Sequence, residues 1–225
     1  MQKVQESARY NPEQIKALRK LIANGEGQRL EFKRKASHPE KIVREMIAFA
    51  NSHGGTLLLG VGDDKTIPGL KYPEDESYVI HQALKKCFPP LTVVETFIAV
   101  GEGHVVIQYE IDESKRKPHA LISSGQFKES FVRVNDQSIK ASREMREIIR
   151  RAQHQKDIRF YYSDYETLLM KYLDEHKTIT LKKFIEVTGL NRFKASKKLI
   201  LLVLANVLRI TPHEKGDLYS IGFHN

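Results

Sequence analysis

The segments GEGQRLEFK (residues 25–33) and GGTLLLGVGDD (residues 54–64) decide how the first half of this 225-residue chain folds. The first predicts a short strand, because apolar and charged residues alternate and place Glu31 on a polar face. The second predicts a central strand, because a nearly continuous apolar run suits a strand covered on both faces. Between them, apolar residues at helical spacing over about residues 39–52 predict an amphipathic helix.

Further elements are predicted on either side of this strand, helix and strand. Asn11 and Pro12 are typical of a helix start, as an N-cap followed by proline at the first helical position. Two alternating runs at residues 92–100 and 104–111 predict a hairpin. Ser142 can cap a further helix. The predicted fold class is therefore α+β, with a mixed sheet and flanking helices.

The C-terminal segment has a different pattern of predicted secondary structure. Residues 165–221 predict the order helix, short strand, helix, turn, helix, hairpin, which resembles the winged helix-turn-helix. The third helix, from Asn191 to about Asn206, begins with basic residues and has no acid in that stretch. Recognition helices commonly place their N-terminal half in the major groove. The alternative is a small helical unit that mediates protein contacts, with the lysines as a solvated face.

The predicted organisation is an N-terminal helix over residues 1–24, a mixed-sheet domain over residues 25–154 and a winged-helix domain over residues 155–225. The second boundary is placed where the sequence becomes polar and charged between two helical patterns. The hydrophobic fraction of 40% is enough for at least one sizeable core.

Charge and cysteine content narrow the classes of function. The formal net charge of +9 favours a polyanionic partner, because neutralised phosphates release counterions. The single cysteine, Cys87, excludes an internal disulfide and a cysteine-based zinc site. No apolar run reaches the length that spans a membrane, and the N-terminus does not resemble a signal peptide. We therefore expect a soluble, cytoplasmic protein with no membrane partner.

A set of short motifs in a fixed order resembles the Schlafen-type, Alba-like domain, a family described as DNA-binding. The motifs cover roughly half of the chain. They are LEFK (30–33), IAFAN (47–51), GGTLLLGV (54–61), IPGL (67–70), KPH (117–119), FVRV (131–134), Ser138 and Ala141-Ser142. In prokaryotes such domains are commonly joined to a winged helix and described as transcriptional regulators. The resemblance therefore implies nucleic acid as the partner.

Three carboxylates lie at predicted strand ends, namely Glu26, Glu31 and Asp64. The Schlafen relatives with ribonuclease activity use two glutamates and an aspartate, and the resemblance implies these three residues as the catalytic and metal-binding set. Clustered carboxylates bind Mg²⁺ or Mn²⁺ through oxygen and activate water for phosphodiester cleavage. The three side chains can converge only if the two strands that carry them are neighbours.

Other interpretations of these acids stay open. Glu31 could pair with Arg29 or Lys33 on the strand surface, and Asp64 could be a turn residue. Asp63 could replace Asp64 if the chain shifts by one residue. The chain has no Gly-x-x-x-x-Gly-Lys-Ser/Thr loop, no histidine pair at zinc-ligand spacing and no Gly-x-Ser-x-Gly elbow.

The sequence therefore predicts a nucleic-acid-binding protein, a DNA-binding transcriptional regulator without enzymatic activity, that needs no cofactor and can form a homodimer. The alternatives are RNA as the partner, or a Mg²⁺- or Mn²⁺-dependent ribonuclease. The predicted nucleic-acid contacts are cationic side chains from both halves of the chain. They are Lys33, Arg34, Lys35, Lys115, Arg116, Lys117, Arg133, Arg192, Lys194, Lys197 and Lys198.

Overall fold

A computed structural model of the chain describes residues 11–101, 103–122, 128–153 and 161–222. The chain divides into two compact units, residues 1–138 and residues 139–225. Each unit has a hydrophobic core of its own. Within the described part of the chain, no helix is long and apolar enough to cross a membrane.

Within the residues that the structure describes, the first unit contains three helices and most of the strands. Its elements in chain order are α1 (Pro12–Ala23), β1 (Leu30–Lys33), α2 (Pro39–Asn51), β2 (Gly55–Leu59), α3 (Pro73–Leu84), β3 (Cys87–Phe88), β4 (Val94–Gly101), β5 (His104–Ile111), β6 (Ala120–Ile122), β7 (Lys128–Glu129), β8 (Phe131–Val134) and β9 (Gln137–Lys140). The predicted N-cap of α1 is confirmed, since Asn11 Oδ1 accepts a hydrogen bond of 3.0 Å from the backbone N–H of Glu13.

A four-stranded mixed sheet in the order β1-β2-β5-β4 organises the first unit. Strands β1 and β2 are parallel, whereas β5 is antiparallel to both β2 and β4. The predicted hairpin of β4 and β5 is present. The predicted fold class, α+β with a mixed sheet and flanking helices, is confirmed.

Strand β2 is covered on both faces, as its apolar sequence predicts. Leu57 and Leu59 belong to the core that contains the buried residues of α2 and α3. Leu58, which points to the other face of the pleat, belongs to a second core with Phe32 and the apolar face of α1. The sheet is therefore a middle layer, with α2 on one side and α1 on the other.

Two glycines allow the tight turn from α2 into β2. Gly54 has φ of +72°, and a Cβ at this position would lie 2.7 Å from the carbonyl oxygen of Ile111. A Cβ at Gly55 would lie 2.5 Å from the ring of Phe49. The absence of both Cβ atoms lets β2 start directly against the end of α2.

Smaller strand groups complete the first unit. Strands β3, β6 and β7 form an antiparallel sheet, and β8 pairs with β9. Cys87 of β3 is buried, and burial raises the pKa of its thiol to about 12. The thiol is therefore protonated at neutral pH, as is typical of a cysteine that packs in a core.

The described part of the second unit contains four helices and a three-stranded antiparallel sheet in the order β10-β12-β11. Its elements are α4 (Arg143–Ala152), α5 (Asp164–His176), β10 (Thr178–Thr180), α6 (Leu181–Thr188), α7 (Arg192–Leu204), β11 (Leu208–Thr211) and β12 (Leu218–Ile221). Phe184, Leu199 and Tyr219 lie in a core that joins the helices to this sheet. From α5 onward, the element order is helix, strand, helix, helix, hairpin.

The division of the chain differs from the expected boundary between residues 154 and 155, which falls outside the described residues. The observed division lies within β9 and places α4 in the second unit. Helix α4 packs against α7, and the Glu144 carboxylate accepts a hydrogen bond of 2.7 Å from Ser196 of α7. The sequence predicted the helix that Ser142 caps, but the buried face of α4 with Ile148 and Ile149 is seen only in the structure.

Candidate nucleic-acid interface

The side chain of Glu31 is buried and neutralised. It projects from β1 and accepts a hydrogen bond of 2.6 Å from Arg133 Nη2. Its other oxygen pairs with Lys33. Only 6% of Glu31 is exposed, so these two cations supply most of its compensation. Of the alternatives open from the sequence, a structural ion pair is the one that the geometry supports.

Arg133 is the centre of this network and was wrongly placed among the nucleic-acid contacts. Its side chain has no solvent-exposed area. Besides Glu31, it donates to the Glu45 carboxylate at 2.8 Å and to the carbonyl oxygen of Gly27 at 2.9 Å. Its guanidinium also lies over the ring of Phe49, 4.9 Å from the centroid. Arg133 therefore joins β8 to α2 and β1, and no surface remains for a phosphate.

Glu45 is the member of this network that the sequence analysis missed. It lies on α2, and Ser138 Oγ donates a hydrogen bond to it. Burial raises the pKa of the Glu45 carboxyl, although the hydrogen bond from Ser138 and the charge of Arg133 oppose the shift. Ser138 belongs to the motifs identified in the sequence. Its polar side chain, close to FVRV, was therefore a signal that an acidic partner such as Glu45 lies nearby.

A second buried polar network explains two further motifs. The Asn51 side chain, at the end of α2, donates to the carbonyl oxygen of Phe131 at 2.8 Å and accepts 2.7 Å from the N–H of His119. The His119 ring lies 2.9 Å from the carbonyl oxygen of Pro89, so Nδ1 donates there. Burial lowers the pKa of His119. Through Asn51 and His119, the IAFAN and KPH motifs therefore connect α2 to the segments around β6 and β8.

Glu26 and Asp64 are each committed to local backbone. Glu26 Oε1 accepts a hydrogen bond of 2.8 Å from the backbone N–H of Phe32. Asp64 closes the turn after β2, where its carboxylate accepts from the hydroxyl (2.6 Å) and the N–H (3.1 Å) of Thr66. These hydrogen bonds lower the pKa of the exposed Asp64 carboxyl. The turn-residue interpretation of Asp64 is thus the one that the structure supports.

The expected metal centre of Glu26, Glu31 and Asp64 is not assembled. Strands β1 and β2 are neighbours, as convergence required. Even so, the described residues contain no group of three or more His, Cys, Asp or Glu side chains that could hold a metal ion. The physical reason is that Glu31 is directed to Arg133, whereas Asp64 is folded back on its own turn.

Lys33 and Lys117 are also engaged with acids. Lys33 pairs with Glu31, and Lys117 pairs with Glu113 within the loop between β5 and β6. Four other predicted contacts in the first unit are exposed and form no ion pair with any described residue. They are Arg34, Lys35, Lys115 and Arg116.

Helix α7 carries the remaining predicted contacts. It follows a left-handed Gly189 that ends α6, and Asn191 caps it by accepting 2.9 Å from the N–H of Lys194. Arg192, Lys194 and Lys197 are exposed and have no acidic partner among the described residues. The first turn of α7 therefore presents uncompensated positive charge.

Lys198 differs from its neighbours. It donates 2.5 Å to Glu166 of α5, and only 26% of its side chain is exposed. The prediction that it contacts nucleic acid is not supported by this geometry, because its charge is already neutralised. In its place, the structure exposes Phe193, 68% of which is accessible. The sequence analysis missed Phe193, although its position between Arg192 and Lys194 was a visible signal.

Comparison with known proteins gives a family for the first unit. The family described as Schlafen, AlbA_2 matches residues 26–142, just over half of the chain. No curated protein is detectably similar in sequence.

Two solved structures are similar to parts of this chain. One is the N-terminal domain of a protein from Nitrosomonas europaea that is named as related to the ATP-dependent DNA helicase RecG. It is 24% identical, with a TM-score of 0.38, and the match covers 47% of this chain and 80% of that one. The other is the DIP2311 protein from Corynebacterium diphtheriae, 18% identical with a TM-score of 0.43. That match covers 77% of this chain and 37% of the other. On the match over residues 26–142, this chain belongs to the Schlafen, AlbA_2 family.

Proposed function

We propose that this protein is a DNA-binding transcriptional regulator whose second unit is a winged helix. Membership of the Schlafen, AlbA_2 family indicates a function related to nucleic acid. The finer assignment to duplex DNA rests on the second unit. There, the order helix, strand, helix, helix, hairpin is the order of a winged helix, and α7 occupies the place of the recognition helix.

The observation that carries the proposal is the uncompensated charge at the start of α7. Arg192, Lys194 and Lys197 occupy its first two turns, and each is exposed and unpaired within the described ranges. Lysine and arginine side chains held this way gain affinity from phosphates, because binding releases counterions from the DNA. A purely structural surface of this charge would normally interleave acids, as α5 and α6 do.

The hairpin of the second unit supplies a further basic position. Strands β11 and β12 are joined by a loop in which Lys215 is exposed and Gly216 has φ of +118°. A loop at this place in a winged helix is the wing. We therefore propose that Lys215, in addition to the cations of α7, contacts the phosphate backbone of the DNA.

The first unit contributes backbone contacts in this proposal. Four of the predicted contacts in this unit are exposed and form no ion pair with a described residue, namely Arg34, Lys35, Lys115 and Arg116. These charges suit phosphate contacts, which position a protein on nucleic acid without reading its sequence. The described geometry favours this role over the nuclease alternative, because the carboxylate of Glu31 is already neutralised by Arg133.

A salt titration tests the electrostatic mechanism. Fluorescence anisotropy with a labelled DNA duplex should show that log K falls linearly with log salt. Replacement of Lys194 by alanine should weaken binding across sequences and reduce the salt slope by about 1. Lys171→Ala is the matched control, since Lys171 is an exposed lysine on α5. Equal affinity and slope for Lys194→Ala and the wild type would overturn the assignment of α7.

The same titration with duplex RNA distinguishes the partners. A-form RNA has a major groove too deep and narrow for side chains to read, so a recognition helix should favour DNA. Tighter binding to RNA would overturn the DNA assignment and leave only the nucleic-acid-related function. Light scattering with and without DNA tests the homodimer, because winged-helix regulators that read paired half-sites bind as dimers.

A further inference from the structure

A cleft between α4 and α7 lies entirely within the second unit. Its volume is about 480 Å³, within the range of about 300–1,000 Å³ typical of small-molecule sites. It is open to solvent on one side. Its lining residues are Arg143, Glu144, Glu147, Arg151, Arg192, Phe193, Ser196, Lys197 and Ile200. Neither the family match nor the proposed DNA contact assigns a role to this cleft.

The cleft is basic, with four cations and two carboxylates, and both carboxylates are occupied. Glu144 is buried and accepts 2.7 Å from Ser196. Glu147 pairs with Arg151 at 2.6 Å. It also pairs with Arg150, which does not line the cleft.

Three cations of the cleft are left uncompensated. Arg143, Arg192 and Lys197 form no ion pair with a residue of the described ranges, and all three are exposed. They come from two different helices, so they converge on the cleft from both of its walls. Guanidinium groups bind phosphate with two parallel hydrogen bonds, which favours phosphate as the anion.

The α7 side of the cleft also supplies apolar and aromatic surface. Phe193 is 68% exposed, and Ile200, which is largely buried, lines the cleft with it. An exposed ring beside arginines suits a flat conjugated body, because aromatic faces stack on one another and on guanidinium groups. The cleft thus combines an anion site with a stacking surface.

We propose that this cleft binds a small phosphorylated molecule with a flat apolar body, of the size and chemistry of a mononucleotide, and that the bound molecule competes with DNA. Its phosphate lies against Arg143, Arg192 and Lys197, and its flat body packs on Phe193 and Ile200. Competition follows because Arg192 and Lys197 belong to both sites. Only this second step rests on the proposed DNA-binding function.

Isothermal titration of the full chain with AMP, GMP, CMP and UMP tests the binding step. At least one of the four should bind, and inorganic phosphate and the corresponding nucleoside should each bind more weakly. Phosphate alone would pair with the cations but would not stack on the ring of Phe193. A nucleoside would stack on the ring but would not pair with the cations. Failure of all four to bind at millimolar concentration would overturn the proposal, as would equal binding of phosphate and nucleotide.

Variants of α4 separate the cleft from the DNA contacts. Arg143→Gln should weaken the nucleotide about ten- to hundredfold, the effect of losing one hydrogen bond to a charged group. Arg209→Gln is the matched control, because it removes an exposed arginine of the same unit that neither lines the cleft nor pairs with a residue that does. Equal loss in both variants, or no loss in Arg143→Gln, would show that the cleft is not the site.

Anisotropy with labelled DNA tests the competition. Addition of the nucleotide should release DNA from the wild type, and Arg143→Gln should bind DNA normally but resist this release. Lys194→Ala should show the opposite pattern, weak DNA binding with intact nucleotide binding. If the wild type binds no DNA but binds nucleotide through Arg143, the proposed function fails and the cleft stands. If nucleotide binds without releasing DNA, competition is overturned.

Discussion

The guanidinium of Arg133, whose side chain is fully buried, compensates two carboxylates, those of Glu31 and Glu45. A buried ion pair of this kind contributes little relative to apolar packing, because the loss of hydration offsets most of the Coulomb attraction. Removal of one partner is a different matter, since it leaves the other charges buried and unpaired. At the residue scale, Arg133 therefore acts by compensating the negative charges of Glu31 and Glu45, which would otherwise be costly to bury.

We expect Arg133→Ala to destabilise the protein by about 3–5 kcal/mol, the range for breaking a buried pair. Urea denaturation followed by circular dichroism gives the free energy of unfolding. Arg34→Ala is the control, because Arg34 is exposed and should change stability by less than about 0.5 kcal/mol. Similar unfolding midpoints for the two variants would contradict the role of Arg133 as a structural cation.

Glu166 connects protonation to the stability of the second unit. Burial opposes its charged form, but hydrogen bonds from Lys198 and Ser163 outweigh this effect and lower the pKa of the carboxyl. A lowered pKa in the folded state stabilises the fold above the unfolded value of about 4.3. This contribution is lost as the pH falls through the folded-state pKa.

Glu166→Gln should therefore be less stable than the wild type by about 1.5–3 kcal/mol at pH 7, the value of hydrogen bonds to charged groups. The difference should shrink progressively below about pH 4. Chemical denaturation at several pH values measures it. Glu186→Gln is the control, because the exposed pair of Glu186 with Lys183 should contribute at most about 1 kcal/mol. A difference that does not depend on pH would contradict the linkage.

Among the elements, the junction of α2 and β2 is held by packing that leaves no room for a methyl group. A Cβ at Gly55 would lie 2.5 Å from the ring of Phe49, which is itself fully buried. We expect Gly55→Ala to destabilise the protein by about 1–3 kcal/mol, the usual effect of overpacking a core. Thermal denaturation provides the comparison with Gly27→Ala, whose Cβ would meet no atom within 4 Å. Comparable melting temperatures would contradict this packing.

Elements with a strong apolar pattern were predictable from the sequence. The run from Thr56 to Val61 predicted a strand covered on both faces, and α1 and α2 do cover β2. Periodicity fixes the apolar face of an element but not its partner, which is why α4 was assigned to the wrong side of a boundary. Charged residues were harder still. Nothing local distinguishes Arg133, which is buried, from the exposed Arg34, because burial depends on contacts remote in sequence.

At the scale of the whole molecule, seven of the eleven predicted contacts stay exposed and unpaired among the described residues, and both units contribute to them. If both units touch one DNA duplex, charge removal in each should act independently, since distant substitutions add. We expect Lys115→Ala with Arg116→Ala, and Arg192→Ala with Lys194→Ala, each to reduce the salt slope, and the quadruple variant to show the sum. Salt titrations of affinity measure this. No effect from the first pair would restrict DNA contact to the second unit.

The boundary between the two units determines where the protein can be truncated. A fragment that starts at residue 155 would lack α4, so Ser196 would lose its acceptor Glu144 and one wall of the nucleotide cleft would be missing. A fragment that starts at residue 139 retains that helix but splits strand β9. A C-terminal unit that is exchanged between relatives should therefore include α4, because α7, the helix with the uncompensated cations, packs against it.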